Sequence, residues 1–371
     1  MVELALAFRE RGISGLRIVL TSFVAQWFFM VVPVCYFITN FILFERLPHH
    51  GVVMMLTITF GVILFGLPIG MFSILFVRLV GYLEAGQSPF VQLRHDISHL
   101  LQNPARLVNG LPILVAVMFL NKALLELKAS IPAIHPFDWD QTFAQLDRTI
   151  HFGIDPWVLL QTVMGHASIT LVGNIFYSLW FFVMFGALLW FGFQKQANEL
   201  RSRFFLSYML IWWIGGGLMS VYFSSAGPAF YGALGLPHDP YVGLMSYLNK
   251  VDARIPVFSL SVQRHLWEGY QGKELAIGIS AFPSMHNGSA FLVALAFRPV
   301  SRILSNIFFG FTAIIFMTSI HLGWHYAVDG YAAFALVGLI WWITGPIVAY
   351  LHRQPSMKQF NDELSVFSAS Q

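Results

Sequence analysis

Charged residues are scarce in this chain, and their scarcity excludes most classes of soluble protein. Only 11% of the 371 residues are Asp, Glu, Lys or Arg, whereas 57% are hydrophobic. Average soluble domains are about one quarter charged. The mean hydropathy is +0.68, and the net charge of +3 gives no sign of a nucleic-acid partner. This composition is typical of a membrane protein that crosses the bilayer several times.

Cysteine is nearly absent as well. Cys35 is the single cysteine of the chain, so no intramolecular disulfide can form. It lies in an apolar run, and we interpret it as a small buried apolar residue. Internal repeats, low-complexity tracts and a recognisable soluble domain are also missing, which leaves the membrane as the expected environment for the whole chain.

Long apolar runs, in contrast, are abundant. A membrane-spanning helix needs about 20 mostly apolar residues. The candidate spans are residues 19–44, 52–76, 108–125, 170–193, 204–223, 285–297, 303–321 and 326–350. We therefore predict an all-α, polytopic membrane helix bundle of about eight spans, followed by a loose polar tail.

The order of these spans brings the long polar connectors 126–169 and 224–281 to one side of the membrane. The opposite side carries thirteen of the 21 lysines and arginines: Arg9, Arg11, Arg17, Arg78, Arg94, Arg106, Lys195, Arg201, Arg203, Arg298, Arg302, Arg353 and Lys358. Short cytoplasmic loops are enriched in Lys and Arg. We therefore expect the connector side to be extracytoplasmic, in a cell (inner) membrane.

Two stretches place ionisable residues at span ends on the connector side. Residues 320–329 contain His321, His325 and Asp329 at i, i+4 and i+8, which keeps them near one face of a helix. Residues 282–288 contain Ser284 and His286 at the start of a span. Ionisable groups at the membrane are costly and indicate a functional site.

The residue types fit phosphoryl transfer. An aspartate one turn from a histidine can fix its tautomer, as Asp329 would for His325, and leave the other ring nitrogen as a nucleophile. A second histidine, His286, can protonate a departing oxygen. Ser284 and the N-terminus of its helix favour phosphate binding. This chemistry proceeds through a phosphohistidine and requires no metal or cofactor.

These residues resemble the second and third signature motifs of the type 2 phosphatidic acid phosphatase superfamily. The Pro283–His286 segment and the Leu322–Asp329 segment are most similar to the inositol phosphorylceramide synthase branch. Segments 146–156 and 225–228 also look like that branch. The resemblance implies a six-helix membrane core, lipid substrates, His325 as nucleophile, Asp329 as its orienter, His286 as general acid and Ser284 as a phosphate contact.

The chain also departs from the family pattern. Thr318 and Ser319 stand where the phosphatases have Ser-Arg before the nucleophile. The first motif, a lysine followed by Arg-Pro, has no clear match. Lys122 and Lys128 lie in about the right place and are candidate phosphate contacts, and His321 is a candidate wall residue of the site. The missing basic residues favour the lipid phosphotransferase branch over simple phosphatases.

The expected organisation has three parts. Residues 1–107 hold two extra spans and a connector, residues 108–351 form the catalytic six-helix domain, and residues 352–371 form the polar tail. The preferred function is transfer of a phosphorylated head group from a phospholipid to a lipid alcohol. The alternative is a lipid phosphate or polyprenyl diphosphate phosphatase with water as acceptor. The oligomeric state is not indicated.

Two other interpretations stay open at this point. One is a zinc or iron site built from His286, His321, His325 and Asp329, and the other is a transporter without catalysis. Several further residues are interpreted structurally. Asp138, Asp140, Asp147 and Asp155 are expected to be helix caps and solvated charges, and Trp180 is expected to face lipid.

Overall fold

The structure, a computed structural model, describes residues 15–43, 104–273 and 278–369, together with the single residues 66, 68, 70, 88 and 91. Within these residues the chain forms helices and turns and no strand, which confirms the all-α prediction. The α-helices, numbered in chain order, are α1 (Gly15–Ala25), α2 (Phe28–Leu43), α3 (Pro104–Ile134), α4 (Asp140–Ile150), α5 (Pro156–Met164), α6 (Ala167–Gly192), α7 (Glu199–Trp213), α8 (Val242–Asp252), α9 (Phe258–Tyr270), α10 (Met285–Phe297), α11 (Arg302–His321), α12 (Ala327–His352) and α13 (Pro355–Ala369).

Five helices in the described part of the chain are long and apolar enough to cross a bilayer: α3, α6, the helix Glu199–Tyr222 that begins with α7, α11 and α12. The pair α1 and α2 would make a sixth span, although the chain bends by 62° between them. Each of these coincides with a predicted span. The predicted span 285–297 corresponds to α10, whose 13 residues are fewer than a full crossing needs. The predicted span 52–76 lies outside the described residues, apart from three isolated positions.

The helix that begins with α7 contains a π-helical turn at Ile214–Met219. Its glycines allow close packing, since a Cβ on Gly215 would lie 2.8 Å from Leu336. Turns of this kind occur frequently at functional sites. Beyond the turn, the hydroxyl of Ser220 donates a hydrogen bond of 3.0 Å to the carbonyl of Phe282. This bond holds the end of the helix against the segment that leads into α10.

The short helix α10 lies at the centre of the bundle, in contact with α6, α7, α11 and α12. Its buried face is made largely of small residues, namely Gly288, Ser289, Ala290, Ala294 and Ala296. Small residues let neighbouring helices approach closely. The first turn of α10, which carries His286, is therefore surrounded by other helices.

The C-terminal residues form a helix and not the loose tail that we expected. The side chains that α13 buries recur every three or four residues: Met357, Phe360, Leu364 and Phe367. This spacing is that of an amphipathic helix. It packs against α1 and α3, and Glu363 accepts hydrogen bonds from Arg17 at 3.2 Å and Thr21 at 3.1 Å.

Candidate active site

His325 lies in the short connection between α11 and α12, with Asp329 behind it in the first turn of α12. The Nδ1 atom of His325 is 3.2 Å from Oδ2 of Asp329. A carboxylate can only accept, so the ring proton occupies Nδ1 and Nε2 is left without it. The same Oδ2 accepts the backbone N–H of Tyr326 at 3.0 Å. Asp329 therefore orients the imidazole and also caps the helix.

Burial lowers the pKa of His325 to about 3, and the charge of Lys128 acts in the same direction. A hydrogen bond to the backbone of Ala281 works in the opposite direction. The imidazole is therefore neutral near pH 7. A neutral ring with a free nitrogen is the form that can act as a nucleophile.

His286 occupies the first turn of α10 and faces His325. The centroids of the two imidazole rings are 6.4 Å apart. Aromatic side chains of α6 cover His286, with Tyr177 stacked at 4.7 Å and Trp180 at 4.2 Å. Trp180 is buried, so the expectation that it faces lipid was wrong. The structure thus brings together the two histidines that sequence spacing had singled out.

Ser284 is the N-cap of α10 and is fully buried. Its hydroxyl accepts the N–H of Asn287 at 3.5 Å, and its own N–H donates to the carbonyl of Asp329 at 3.1 Å. Ser284 therefore joins the start of α10 to the start of α12. The structure shows it as a connection between the two motifs, and it does not line the cavity described next.

A cavity of about 350 Å³ opens in front of both histidines. We call it the site cavity. Its wall includes Lys128 of α3, Tyr177 of α6 and Ser220 at the end of the helix Glu199–Tyr222. A cavity beside two histidines and a lysine can hold an anionic group such as a phosphate.

The two candidate lysines are placed differently. Lys128 lines the site cavity and is close enough to both histidines to act on them electrostatically. Lys122 pairs with Glu126 at 2.7 Å and lies over the ring of Phe37 at 5.0 Å. Its charge is already compensated, and it does not line the site cavity. Lys128 is therefore the better placed of the two to contact a phosphate.

The expectation that His321, His325 and Asp329 share one helix face was wrong, because α11 ends at His321 and α12 begins only at Ala327. The Nε2 atom of His321 is 2.9 Å from the hydroxyl of Thr170, which in turn is 2.7 Å from that of Tyr247. His321 is buried and does not line the site cavity. In the described residues, no group of three or more His, Cys, Asp or Glu side chains is arranged to hold a metal ion.

Asp140 is a buried residue whose importance the sequence did not reveal. Its carboxylate accepts four hydrogen bonds, from the Ser225 hydroxyl at 2.9 Å, the N–H groups of Ala226 and Gly227 at 2.9 and 2.8 Å, and the Tyr326 hydroxyl at 2.8 Å. Gly227 has a φ of +99°, and a Cβ there would lie 2.7 Å from the carbonyl of Trp324. Asp140 thus holds a loop and a tyrosine directly beside His325.

Asp147 fixes the start of α12. It accepts the backbone N–H groups of Ala327 and Val328 at 2.7 and 2.9 Å. Burial raises its pKa to about 7, against the opposing effect of these two hydrogen bonds. Asp140 and Asp147 are helix or loop caps as expected, but both are buried and not solvated. The spacing of Asp140 and Asp147 could have indicated their burial, because both lie on the same face of α4 as the apolar residues Phe143 and Ala144.

Several helices long and apolar enough to cross a bilayer, packed around an internal cavity lined by two histidines, are typical of an integral membrane protein. Comparison with known families matches the PAP2 superfamily to residues 141–343. The match covers more than half of the chain, which therefore belongs to the PAP2 superfamily. Membership indicates phosphatase or phosphotransferase chemistry on lipids. The matched region contains Asp147, His286, His325 and Asp329, whereas α3 and its lysines precede it. No curated protein and no solved structure matches the chain.

Proposed function

We propose that this protein is a lipid phosphotransferase. It moves a phosphorylated head group from a phospholipid to a lipid alcohol, as the resemblance to inositol phosphorylceramide synthases implies. The observation that carries the proposal is the facing pair of histidines, 6.4 Å apart, with Asp329 3.2 Å behind His325. A phosphorus centre that enters the site cavity between them meets a nucleophile on one side and a proton donor on the other.

The first half-reaction transfers the head group to the protein. Nε2 of His325 attacks phosphorus, and the bond between phosphorus and the lipid oxygen breaks. His286 gives a proton to that oxygen, and the lipid alcohol leaves. Burial lowers the pKa of His286, and the negative charge of the bound phosphate favours the protonated form that this step uses. Asp329 stabilises the positive charge on the phosphorylated imidazole. The product of this step is a phosphohistidine that keeps the head group.

The second half-reaction reverses these roles. The hydroxyl of the acceptor lipid gives its proton to His286, and its oxygen attacks phosphorus. The bond between phosphorus and Nε2 breaks, which regenerates His325. Positioning and charge stabilisation supply most of the rate in such reactions. Lys128 lines the cavity and supplies the positive charge that the missing motif arginine provides in the phosphatases.

The aromatic cover of His286 favours a lipid acceptor over water. Tyr177 and Trp180 pack on this imidazole and limit the access of solvent to its proton. Hydrolysis by water through the same residues would give a lipid phosphate or polyprenyl diphosphate phosphatase. The two functions differ in the acceptor alone, and the experiments below separate them.

The proposed site has a definite place in the chain and the membrane. Residues 108–351 would form the catalytic domain, and residues 1–107 would add spans in front of it. The excess of Lys and Arg on the opposite side supports an extracytoplasmic site in the cell (inner) membrane. Labelling of an introduced cysteine at exposed Asp138 by an impermeant reagent on intact cells tests this orientation.

The central experiment uses purified protein in detergent with a phospholipid labelled in its head group. We expect label to move to ceramide or diacylglycerol when one of them is present. Release of the phosphorylated head group into water, or of free phosphate when the donor is phosphatidic acid, that is independent of the acceptor would instead establish hydrolysis. Lipid mass spectrometry of cells with and without the gene names the product.

Trapping the intermediate tests the role of His325. An acid-labile phosphoenzyme should accumulate when acceptor is withheld, and His325→Ala should abolish it and lower turnover by about 10³-fold or more. His166→Ala is the matched control, because His166 is exposed and its side chain makes no capping bond. Full activity in His325→Ala would contradict the mechanism.

A further inference from the structure

A second cavity, of about 330 Å³, adjoins the site cavity. We call it the apolar cavity. Five residues line both spaces: Leu124, Lys128, Phe181, Trp212 and His286. His325 lines the site cavity only. The two cavities therefore meet at His286 and Lys128, while the proposed nucleophile faces one of them alone.

The walls of the apolar cavity come mainly from two antiparallel helices. Its residues on α3 recur every three or four positions: Gly110, Ile113, Leu114, Val117, Asn121, Leu124, Leu125 and Lys128. The facing residues of α6 run from Trp180 to Phe193 at the end of that helix. At 1.5 Å per residue this stretch of α6 is about 20 Å long. One leaflet of a bilayer has a hydrocarbon depth of about 15 Å, so the cavity is as long as a lipid chain.

The two ends of the apolar cavity differ in chemistry. The end at His286 and Lys128 is ionisable. At the far end, buried Arg201 fixes the backbone beside Gly110 and Gly192, because its Nη2 atom donates to the carbonyls of Asn109 at 2.6 Å and Gly192 at 3.4 Å. The cavity is thus an apolar channel with a polar group at one end, which is the form of a site for a single hydrocarbon chain with a polar terminus.

We propose that the apolar cavity binds one hydrocarbon chain of the lipid alcohol, which is the leaving group of the first half-reaction and the acceptor of the second. This inference rests on the proposed function. There, His286 exchanges a proton with the lipid oxygen and His325 bonds to phosphorus. A lipid oxygen at His286 directs its chain into the apolar cavity and leaves the phosphorylated head group in the site cavity beside His325.

Val117 and Met118 provide a matched pair of substitutions. Val117 lines the apolar cavity, and the next residue, Met118, is 39% exposed on the outer face of α3. Val117→Trp places an indole in the middle of the channel, whereas Met118→Trp adds the same group outside it. The substrates are dioctanoyl and dipalmitoyl forms of phosphatidylinositol and of phosphatidic acid, and release of diacylglycerol is measured.

We expect Val117→Trp to lower turnover of the dipalmitoyl lipids by about tenfold or more and to leave the dioctanoyl lipids within about twofold, since a filled channel excludes long chains only. Met118→Trp should change neither. Equal losses for short and long chains in Val117→Trp, or no loss for either, would overturn the proposal. Retained short-chain turnover also shows that the variant folds.

A binding measurement separates this proposal from the proposed function. Phosphatidic acid with a diazirine at the end of one chain is photolysed with the His325→Ala protein, which cannot turn over. We expect labelled peptides from α3 around Gly110 and from α6 around Gly192, and loss of that labelling when Val117→Trp is added. Labelling confined to outward-facing residues near Met118 would refute the chain site even if phosphotransfer is observed. Labelling in the channel together with no phosphotransfer would refute only the function.

Discussion

The hydrogen bonds of Asp140 allow a quantitative prediction. Its Oδ1 accepts from Ser225, Gly227 and Tyr326, and its Oδ2 accepts from the N–H of Ala226. Asp140→Asn keeps one acceptor oxygen and replaces the other by an NH₂ group, which cannot accept. One buried N–H is then orphaned, at a cost of about 1–3 kcal/mol, and three charge-assisted bonds become neutral ones. The free energy of unfolding should fall by about 3–5 kcal/mol in total.

Activity should fall as well, because the loop and Tyr326 lie beside His325. A displacement of about 1 Å at a reacting group can cost about 10²-fold in rate. The assays are unfolding in mixed detergent micelles and head-group transfer below the melting temperature. Asp138→Asn is the matched control, since the side chain of Asp138 is 58% exposed. If Asp140→Asn and Asp138→Asn differ by less than about 1 kcal/mol, the proposed role of the four hydrogen bonds is wrong.

Three further predictions follow from the same site. Lys128→Gln should raise the KM for phospholipid or lower kcat by about tenfold or more, whereas Lys122→Gln should leave both nearly unchanged; equal effects would contradict the different placement of the two lysines. Burial raises the pKa of Asp147 to about 7 from an ordinary 3.8. Between these two values the folded protein keeps a proton on Asp147 that the unfolded chain loses. The free energy of unfolding should therefore fall as pH rises from about 4 to about 7. Asp147→Asn should lack that slope when melting is followed against pH, and a slope identical to the wild type would show that other groups cause it. The pH–rate profile should be bell-shaped, because His325 must be neutral and His286 protonated. Burial lowers the pKa of both imidazoles, which moves both limbs to lower pH, and a profile without an alkaline limb would contradict the role of His286 as the protonated partner.

The parts of the fold that the sequence predicted are those set by local composition. Apolar runs of sufficient length mark the spans, because the bilayer imposes their length whatever the neighbours are. His286, His325 and Asp329 were recognisable because ionisable residues are rare at span ends and their spacing places two of them one turn apart. The structure brings these three side chains together, and their catalytic roles stay a prediction.

The parts that were missed depend on contacts between distant segments. Asp147 binds backbone groups at Ala327 and Val328, and nothing in the residues around Asp147 reveals that partner. Lys122 and Lys128 lie less than two turns apart, so only the position of α3 against α6 decides which of them reaches the cavity. The C-terminal residues were expected to be loose because many of them are polar. Their apolar residues nevertheless recur at helical spacing and pack against α1.

The π-helical turn at Ile214–Met219 has a consequence for how this chain tolerates changes in length. Such a turn holds one residue more than the regular winding would place there. Deletion of a single glycine from it would leave a regular α-helical turn, and the residues on either side would keep their orientation, because the wide turn is what absorbs the extra residue. The hydrogen bond from Ser220 to the carbonyl of Phe282 should then survive, and with it the support of the segment that presents His286. Deletion of one residue from a regular turn of the helix Glu199–Tyr222 would instead rotate every later residue by about 100° and move Ser220 away from that carbonyl.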